Sequence, residues 1–235
     1  MATDERGWHF IDGRSKIAIM TENITPPRRG RPPKRRAGTD DTRALLIRSG
    51  LELLTEQGFV ASGLDPILKR VGVPKGSFYY YFDSKEAFGL EVLAAYDRYF
   101  AAKLDKHLSS DTLPPLQRLQ AFVEDAKQGM IRHDFRRGCL VGNLEQEVAY
   151  LPERFRPRLL SIYQHWQSKV AACLVASQQT GDVTPTMNCN ELAEQFWIGW
   201  EGAINRSRLI RDTQPLDRFL NHFIQLISPT HQTPV

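Results

Sequence analysis

Cysteine is scarce in this chain, and the shortage closes off two classes of protein at once. The three cysteines among 235 residues, Cys139, Cys173 and Cys189, form no Cys-x-x-Cys pair and have no histidine at ligand spacing. Neither a disulfide scaffold nor a structural zinc site is built that way, so no metal or other cofactor is expected and the thiols should be free in a reducing compartment. Long apolar runs are missing as well. Nothing approaches the ~18 residues that a bilayer-spanning helix needs, and Ile17-Ala18-Ile19-Met20 falls well short of the roughly 7 to 15 residues of a secretory signal core. The expectation is a cytoplasmic protein with no membrane partner. Alternating strand patterns and fixed-period repeats are also lacking. What is there is ordinary globular material, 41% hydrophobic and 25% charged, enough for one large or two modest domains with a sizeable core.

Charge is the first positive signal. The net +4 is unevenly spread, because residues 1–38 hold Arg6, Arg14, Lys16, Arg28, Arg29, Arg31, Lys34, Arg35 and Arg36 against Asp4, Glu5, Asp12 and Glu22. That leaves 22 of the 31 basic and 23 of the 27 acidic residues for everything else. Within Pro26–Arg36 there are six cations, no acid, and prolines that keep the backbone extended. Such an arm, with Arg28, Arg29 and Arg31 at its centre, can follow a phosphate backbone or enter a minor groove. A merely solubilising tail is the alternative. Residues 1–39 are expected to be disordered, and Met20 competes with Met1 as the true start.

From Asp40 onward the apolar period is helical. Leu45, Leu46, Ser49, Leu53 and Leu54 share a stripe on a first helix ending at Gly58, where a left-handed residue suits a helix C-terminus. Ser62-x-x-Asp65 has the form of a capping box for a second helix, unless Asp65 is the cap or Pro66 bends the start. Pro74 suits a first helical position, predicting a short third helix over 74–82, followed by a cap at Asp83 or Ser84. Further helices are predicted over 85–107, 116–135, 139–149, 153–179, 191–211 (capped by Asn190) and 215–227. The chain therefore reads as all-α with about nine helices.

Three short helices directly after a basic arm match a helix-turn-helix pattern. On the third, Phe78 and Phe82 lie four apart and can pin it to the first two. That turns Lys75, Ser77, Tyr79, Tyr80 and Tyr81 outward, a set suited to phosphate hydrogen bonds and thymine methyl contacts. Gly76 allows close backbone approach. Lys85, in the first turn of the next helix, is placed to share a phosphate with that helix's N–H groups. A helical hairpin with a tyrosine-rich core is the competing explanation.

The stretch GLDPILKRVGVPKGSFYYYF from Gly63 to Phe82, followed by DSKEAF, resembles the DNA-binding domain of the TetR family of transcriptional regulators. The resemblance implies a homodimer whose N-terminal domain, here 40–100, binds a palindromic operator in double-stranded DNA. A C-terminal domain, here 101–228, would bind a small-molecule inducer and dimerise, leaving 229–235 as a tail. By position, the DNA contacts fall on Lys75, Ser77, Tyr79, Tyr80, Tyr81 and Lys85, with Gly76 for close approach. Pro66 departs from the pattern. RRGCLVGNL from Arg136 to Leu144 and FWIGWEGA from Phe196 to Ala203 resemble a subgroup of acrylate-utilisation regulators and, more distantly, electrophile-sensing repressors. In the latter, the cysteine matching Cys139 is reactive.

The residues themselves bear on that implication. A thiol following Arg136-Arg137 at a helix start would have its thiolate favoured by two cations and the helix dipole; a buried inert cysteine is the alternative. Trp197, Trp200 and Ile204 share one face, with Gly199 and Ala203 as a flat strip, either at a dimer interface or walling a pocket. Glu201 lies in an apolar stretch and needs a partner, for which Arg137 and Arg206 are candidates. The expected effector site is thus Cys139, Arg137, Trp197, Trp200 and Glu201. No catalytic residue is expected. The readings to be separated are a repressor, a nonspecific architectural DNA binder driven by the arm, and an enzyme using Cys139, which lacks a clear histidine partner.

Overall fold

Nine α-helices and a short 3-10 turn make up the described residues, 37–229, of the computed structural model, in which side chains are described from Asp41 onward. The basic arm with Arg28, Arg29 and Arg31, and residues 230–235, lie outside the described residues. The order is α1 (Ala37–Gln57), α2 (Leu64–Val71), the 3-10 turn (Lys75–Ser77), α3 (Phe78–Tyr81), α4 (Lys85–Leu108) and α5 (Pro115–Arg132). It continues with α6 (Leu140–Gln146), α7 (Phe155–Gln179), α8 (Cys189–Ile210) and α9 (Gln214–Ile227). No strand occurs among the described residues. Helix α1 starts at Ala37, inside the segment expected to be disordered.

Several helix boundaries have local causes that spacing alone left open. Gly58 is left-handed at φ 78° and its N–H reaches Leu54 O, ending α1 as expected. Ser62 does not cap α2: its hydroxyl donates back to Gly58 O, and Gly63 is the residue before the helix. Pro66 is then the third helical residue, where an N–H would have no partner in the helix, so the ring costs nothing there. Pro74 is extended and stands before the 3-10 turn rather than inside a helix. Ser84, not Asp83, caps α4 by accepting from the Ala87 N–H. Asn188, not Asn190, caps α8, its side-chain Oδ1 accepting from the N–H groups of Asn190 and Glu191.

Helix α4 is the spine. Phe88, Val92, Leu93, Phe100 and Leu104 are buried along it, and it packs on α1, α5 and α7. The boundary expected at residue 100 falls inside this helix, and one apolar core runs from α1 to α9. Tyr99 of the same helix is exposed. At the centre of the body the rings of Phe100, Trp166 and Trp197 pack against one another in sequence at tilted angles, and Phe122, Trp200 and Phe196 continue the column. Each such side chain contributes about 1.5–3 kcal/mol by leaving water. The expected flat strip on α8 is used inside the chain. A Cβ at Gly199 would collide with the ring of Phe219 on α9, so it is α9 that comes close there.

Candidate functional site

The head is held by aromatics and presents aromatics. Phe78 and Phe82 are buried with Phe88 of α4, their ring centroids 4.9 to 5.6 Å apart, which fixes α3 on the spine. Tyr79 and Tyr80, in contrast, are 63% and 60% exposed. Tyr81, expected to face outward with them, is half-buried, its ring edge-on to Tyr80. Lys75 is exposed and pairs with Asp65 of α2 at 3.0 Å, a surface pair that phosphate can displace. At Gly76 a Cβ would meet nothing within 4 Å among the described residues and φ is not left-handed. The fold therefore does not require glycine at this point, and any need for smallness lies outside the chain.

Lys85 does something other than expected. Its Nζ donates to Phe59 O at 2.9 Å and lies 4.6 Å from the centre of the Phe59 ring, and burial lowers its pKa. It ties the start of α4 to the loop after α1 instead of standing ready for a phosphate. The N–H groups of Phe59 and Val60 in that loop both donate to Glu147, just past α6, at 2.7 and 3.2 Å. The last carbonyls of α1 are capped from the same side. Thr55 O accepts from the Gly138 N–H, Leu54 O and Thr55 O from Asn143 Nδ2, and Glu56 O from Arg208 of α8. Arg208 also holds Asn143 Oδ1 at 3.1 Å. Reading the sequence missed Asn143, Glu147 and Arg208, because their partners lie some 65 to 150 positions away and no spacing rule reaches that far.

Between α1 and the body lies a cleft of about 370 Å³. Its wall carries Arg48 and Glu52 from α1, Tyr96 and Lys103 from α4, His133, Arg137 and Cys139 from the α5–α6 connection, and Trp200 from α8. That connection contains Asp134 and Phe135 at φ 50° and 54°, a left-handed pair without glycine of the sort that clusters at functional sites. Burial, then the cations of Arg137 and Arg132, hold His133 below the usual histidine range. Of the five expected effector residues, Cys139, Arg137 and Trp200 line this cleft. Trp197 and Glu201 stand behind it, Trp197 in the aromatic column with its indole N–H unpartnered.

Two electrostatic arrangements differ from those expected. Arg137 and Arg136 do not face the thiol: Arg137 bridges Glu52 and Glu56 at 3.7 and 3.4 Å, and Arg136 bridges Glu56. Nor is Glu201 met by arginine. Arg206 is exposed, and the groups around the Glu201 carboxylate are Cys139, Tyr96, Tyr163, Glu145 and the backbone of Gly142, where a Cβ would collide with Oε2. Burial, and after it Glu201, push the Cys139 thiol well above its ordinary range, so it is not a standing thiolate. Burial also raises Glu201 to about 7, and its Oε1 has no partner. Among the described residues no group of side chains could hold a metal ion, and no helix is long and apolar enough to cross a membrane.

A short helix pinned by two phenylalanines, carried on a helical body with an internal cleft, defines a helix-turn-helix regulator. Comparison with known proteins makes the class specific. Residues 46–92 match the N-terminal domain of bacterial regulatory proteins of the tetR family, and residues 115–223 match the tetracyclin repressor-like C-terminal domain. The chain is 48% identical over 199 residues to the transcriptional regulator AcuR of Cereibacter sphaeroides, covering 84% of this chain and 90% of that one. It is 31% identical over 192 residues to the HTH-type transcriptional repressor NemR of Escherichia coli, covering 80% and 94%. A crystal structure of a regulatory protein TetR from Rhodobacter sphaeroides superposes with a TM-score of 0.77 at 47% identity over 79% of this chain and 98% of the other. The chain belongs to the TetR family of transcriptional regulators.

Proposed function

We propose that the protein is a one-component repressor, a cytoplasmic homodimer that seats two copies of α3 in successive major grooves of a palindromic operator and lets go when a small molecule enters the cleft beside α1. The observation that carries the DNA reading is the exposure of Tyr79 and Tyr80 on a helix whose other side is fully anchored by Phe78 and Phe82. Lys75, Ser77 and Gly76 complete that face, with Tyr81 at its edge, while the arm's Arg28, Arg29 and Arg31 add phosphate or minor-groove contacts.

The effector enters a cleft whose wall includes Arg137 and Cys139, which suits a small carboxylate of the acrylate type or a reactive electrophile. The segment from Gly138 to Asn143 walls the cleft through Gly138 and Cys139 and caps the end of α1 through Gly138 and Asn143. An occupant that displaces it loosens α1 relative to the body, changing the separation of the two reading helices.

Gel shifts with the DNA upstream of the protein's own gene, against random duplex of equal length, test this. Selective binding by the full chain, reduced by Tyr79→Ala with unchanged melting, is the expected result. Equal affinity for both duplexes would leave a nonspecific binder driven by the arm, and the repressor reading would be wrong.

A further inference from the structure

We propose that Glu201 is the proton acceptor that prepares Cys139 to add to an activated alkene in the cleft. This rests on the electrophile reading of the effector site and specifies how a buried thiol could take part in it. Cys139 is only 6% exposed yet forms part of the cleft wall, so a small molecule in the cleft comes against it. Arg136 and Arg137 do not favour a thiolate, since they are spent on Glu52 and Glu56. What the thiol does have nearby is the Glu201 carboxylate, whose Oε2 lies where a Cβ on Gly142, three residues past Cys139, would be, and the two groups act on each other's proton affinity. That carboxylate is itself 92% buried by its 8% exposure, and its Oε1 is unpartnered. The glycine at position 142 lets Glu201 come this close, because any larger residue would occupy the oxygen's place.

The energetics favour transfer within the pair over ionisation of the thiol alone. Creating an isolated thiolate at this depth would cost the full desolvation of a new charge. Moving the proton from Cys139 Sγ to Glu201 creates none: a buried negative charge merely shifts from oxygen to sulfur. The Tyr96 hydroxyl of α4 and the Gly142 N–H both act on the sulfur in the direction that favours the anion. Other groups facing Glu201 are Tyr163 of α7 and Glu145 of α6; the latter, together with burial, keeps the carboxyl's affinity for a proton high.

The step balances without any further reactant. The S–H bond breaks and its proton goes to Glu201; the sulfur lone pair forms a bond to the β-carbon of the alkene; the π electrons move toward the carbonyl as an enolate. The proton then passes from the Glu201 carboxyl to the α-carbon, so the sum is addition of the thiol across the double bond.

The test is the rate of Cys139 alkylation in the full-length protein by methyl vinyl ketone as a function of pH, followed by intact mass and peptide mapping, with Cys173 and Cys189 as internal references. In the unsubstituted protein the rate should rise and level off around Glu201's value of about 7, below the ordinary thiol value of 9.0. Glu201→Gln should slow the reaction at neutral pH by about 10²-fold and move its rise into the thiol range, with Glu201→Asp partly restoring it. A rise confined to the thiol range in the unsubstituted protein would overturn the proposal even if Glu201→Gln failed to fold. So would an unchanged profile in folded Glu201→Gln, and in both cases Cys139 would remain a sensor of another kind. No adduct at Cys139 under any condition would instead remove the electrophile reading itself and the proposal with it.

Discussion

Two aromatic faces of this molecule, written in similar letters, do opposite work. Tyr79 and Tyr80 on α3 stand mostly in solvent, whereas Trp197 and Trp200 on α8 are 2% and 1% exposed. Solvent-facing tyrosines contribute little to folding and are available to an outside partner. The tryptophans hold the body together, and only Trp200 shows an edge to the cleft. The same contrast holds for carboxylates. Asp65 near the head pairs in the open with Lys75, while Glu201 in the body is buried with no cation. The head leaves its aromatic rings open to solvent, and the body packs its own against one another.

That contrast can be broken at either end. The largest effect is expected in the anchors: Phe78→Ala or Trp197→Ala should cost about 3–5 kcal/mol of stability in urea unfolding, because a large apolar volume is lost from a closed core. Next comes Glu201. Its folded pKa of about 7 lies above the ordinary 4.5, so the folded state holds the proton more tightly than the unfolded one. The stability this gives is complete below the unfolded value and is lost as pH rises through the folded value. Unfolding of Glu201→Gln and its parent, compared at pH 4.5 and 8, should show the glutamine gaining by about 3 kcal/mol across that window.

Smaller effects belong to the head and the junction. Tyr79→Ala and Tyr80→Ala should each remove about 1–3 kcal/mol of selective DNA affinity in fluorescence anisotropy while leaving the melting temperature nearly unmoved. A stability loss equal to that of Phe78→Ala would mean the tyrosines are core after all. Asn143→Ala should cost about 1 kcal/mol and speed amide exchange across residues 54–60, where α1 loses two of its caps. Gly76→Ala should shift stability by no more than about 0.5 kcal/mol, since its Cβ meets open space, yet weaken DNA binding. Unimpaired binding would show that the backbone does not approach the groove there.

Much of this was legible along the chain, for reasons that differ by element. Helix positions followed from the 3.6-residue period, and Gly58 worked as a stop because a left-handed turn suits glycine. Phe78 and Phe82 were readable as anchors because four residues make one helical turn. The misreadings share one cause. Lys85, Arg137 and Glu201 are long or buried polar side chains, and what each touches is set by elements far off in sequence. Lys85 found the Phe59 carbonyl, Arg137 found Glu52 and Glu56, and Glu201 found Cys139 in place of an arginine. Tyr81 turned half inward because the helix carrying it is a single turn after a 3-10 entry, which shifts its angular position.

By itself the sequence determined the helical class, the order of the helices, the anchored reading element and the basic character of the arm, since these depend on local periodicity, turn chemistry and charge count. Only the tertiary structure decided which polar group pairs with which: the capping of α1 by Gly138, Asn143 and Arg208, the clamp of Glu147 on the α1–α2 loop, and the meeting of Cys139 with Glu201. Pairing energies depend on distance and burial through space, and a linear string fixes neither until the chain has folded.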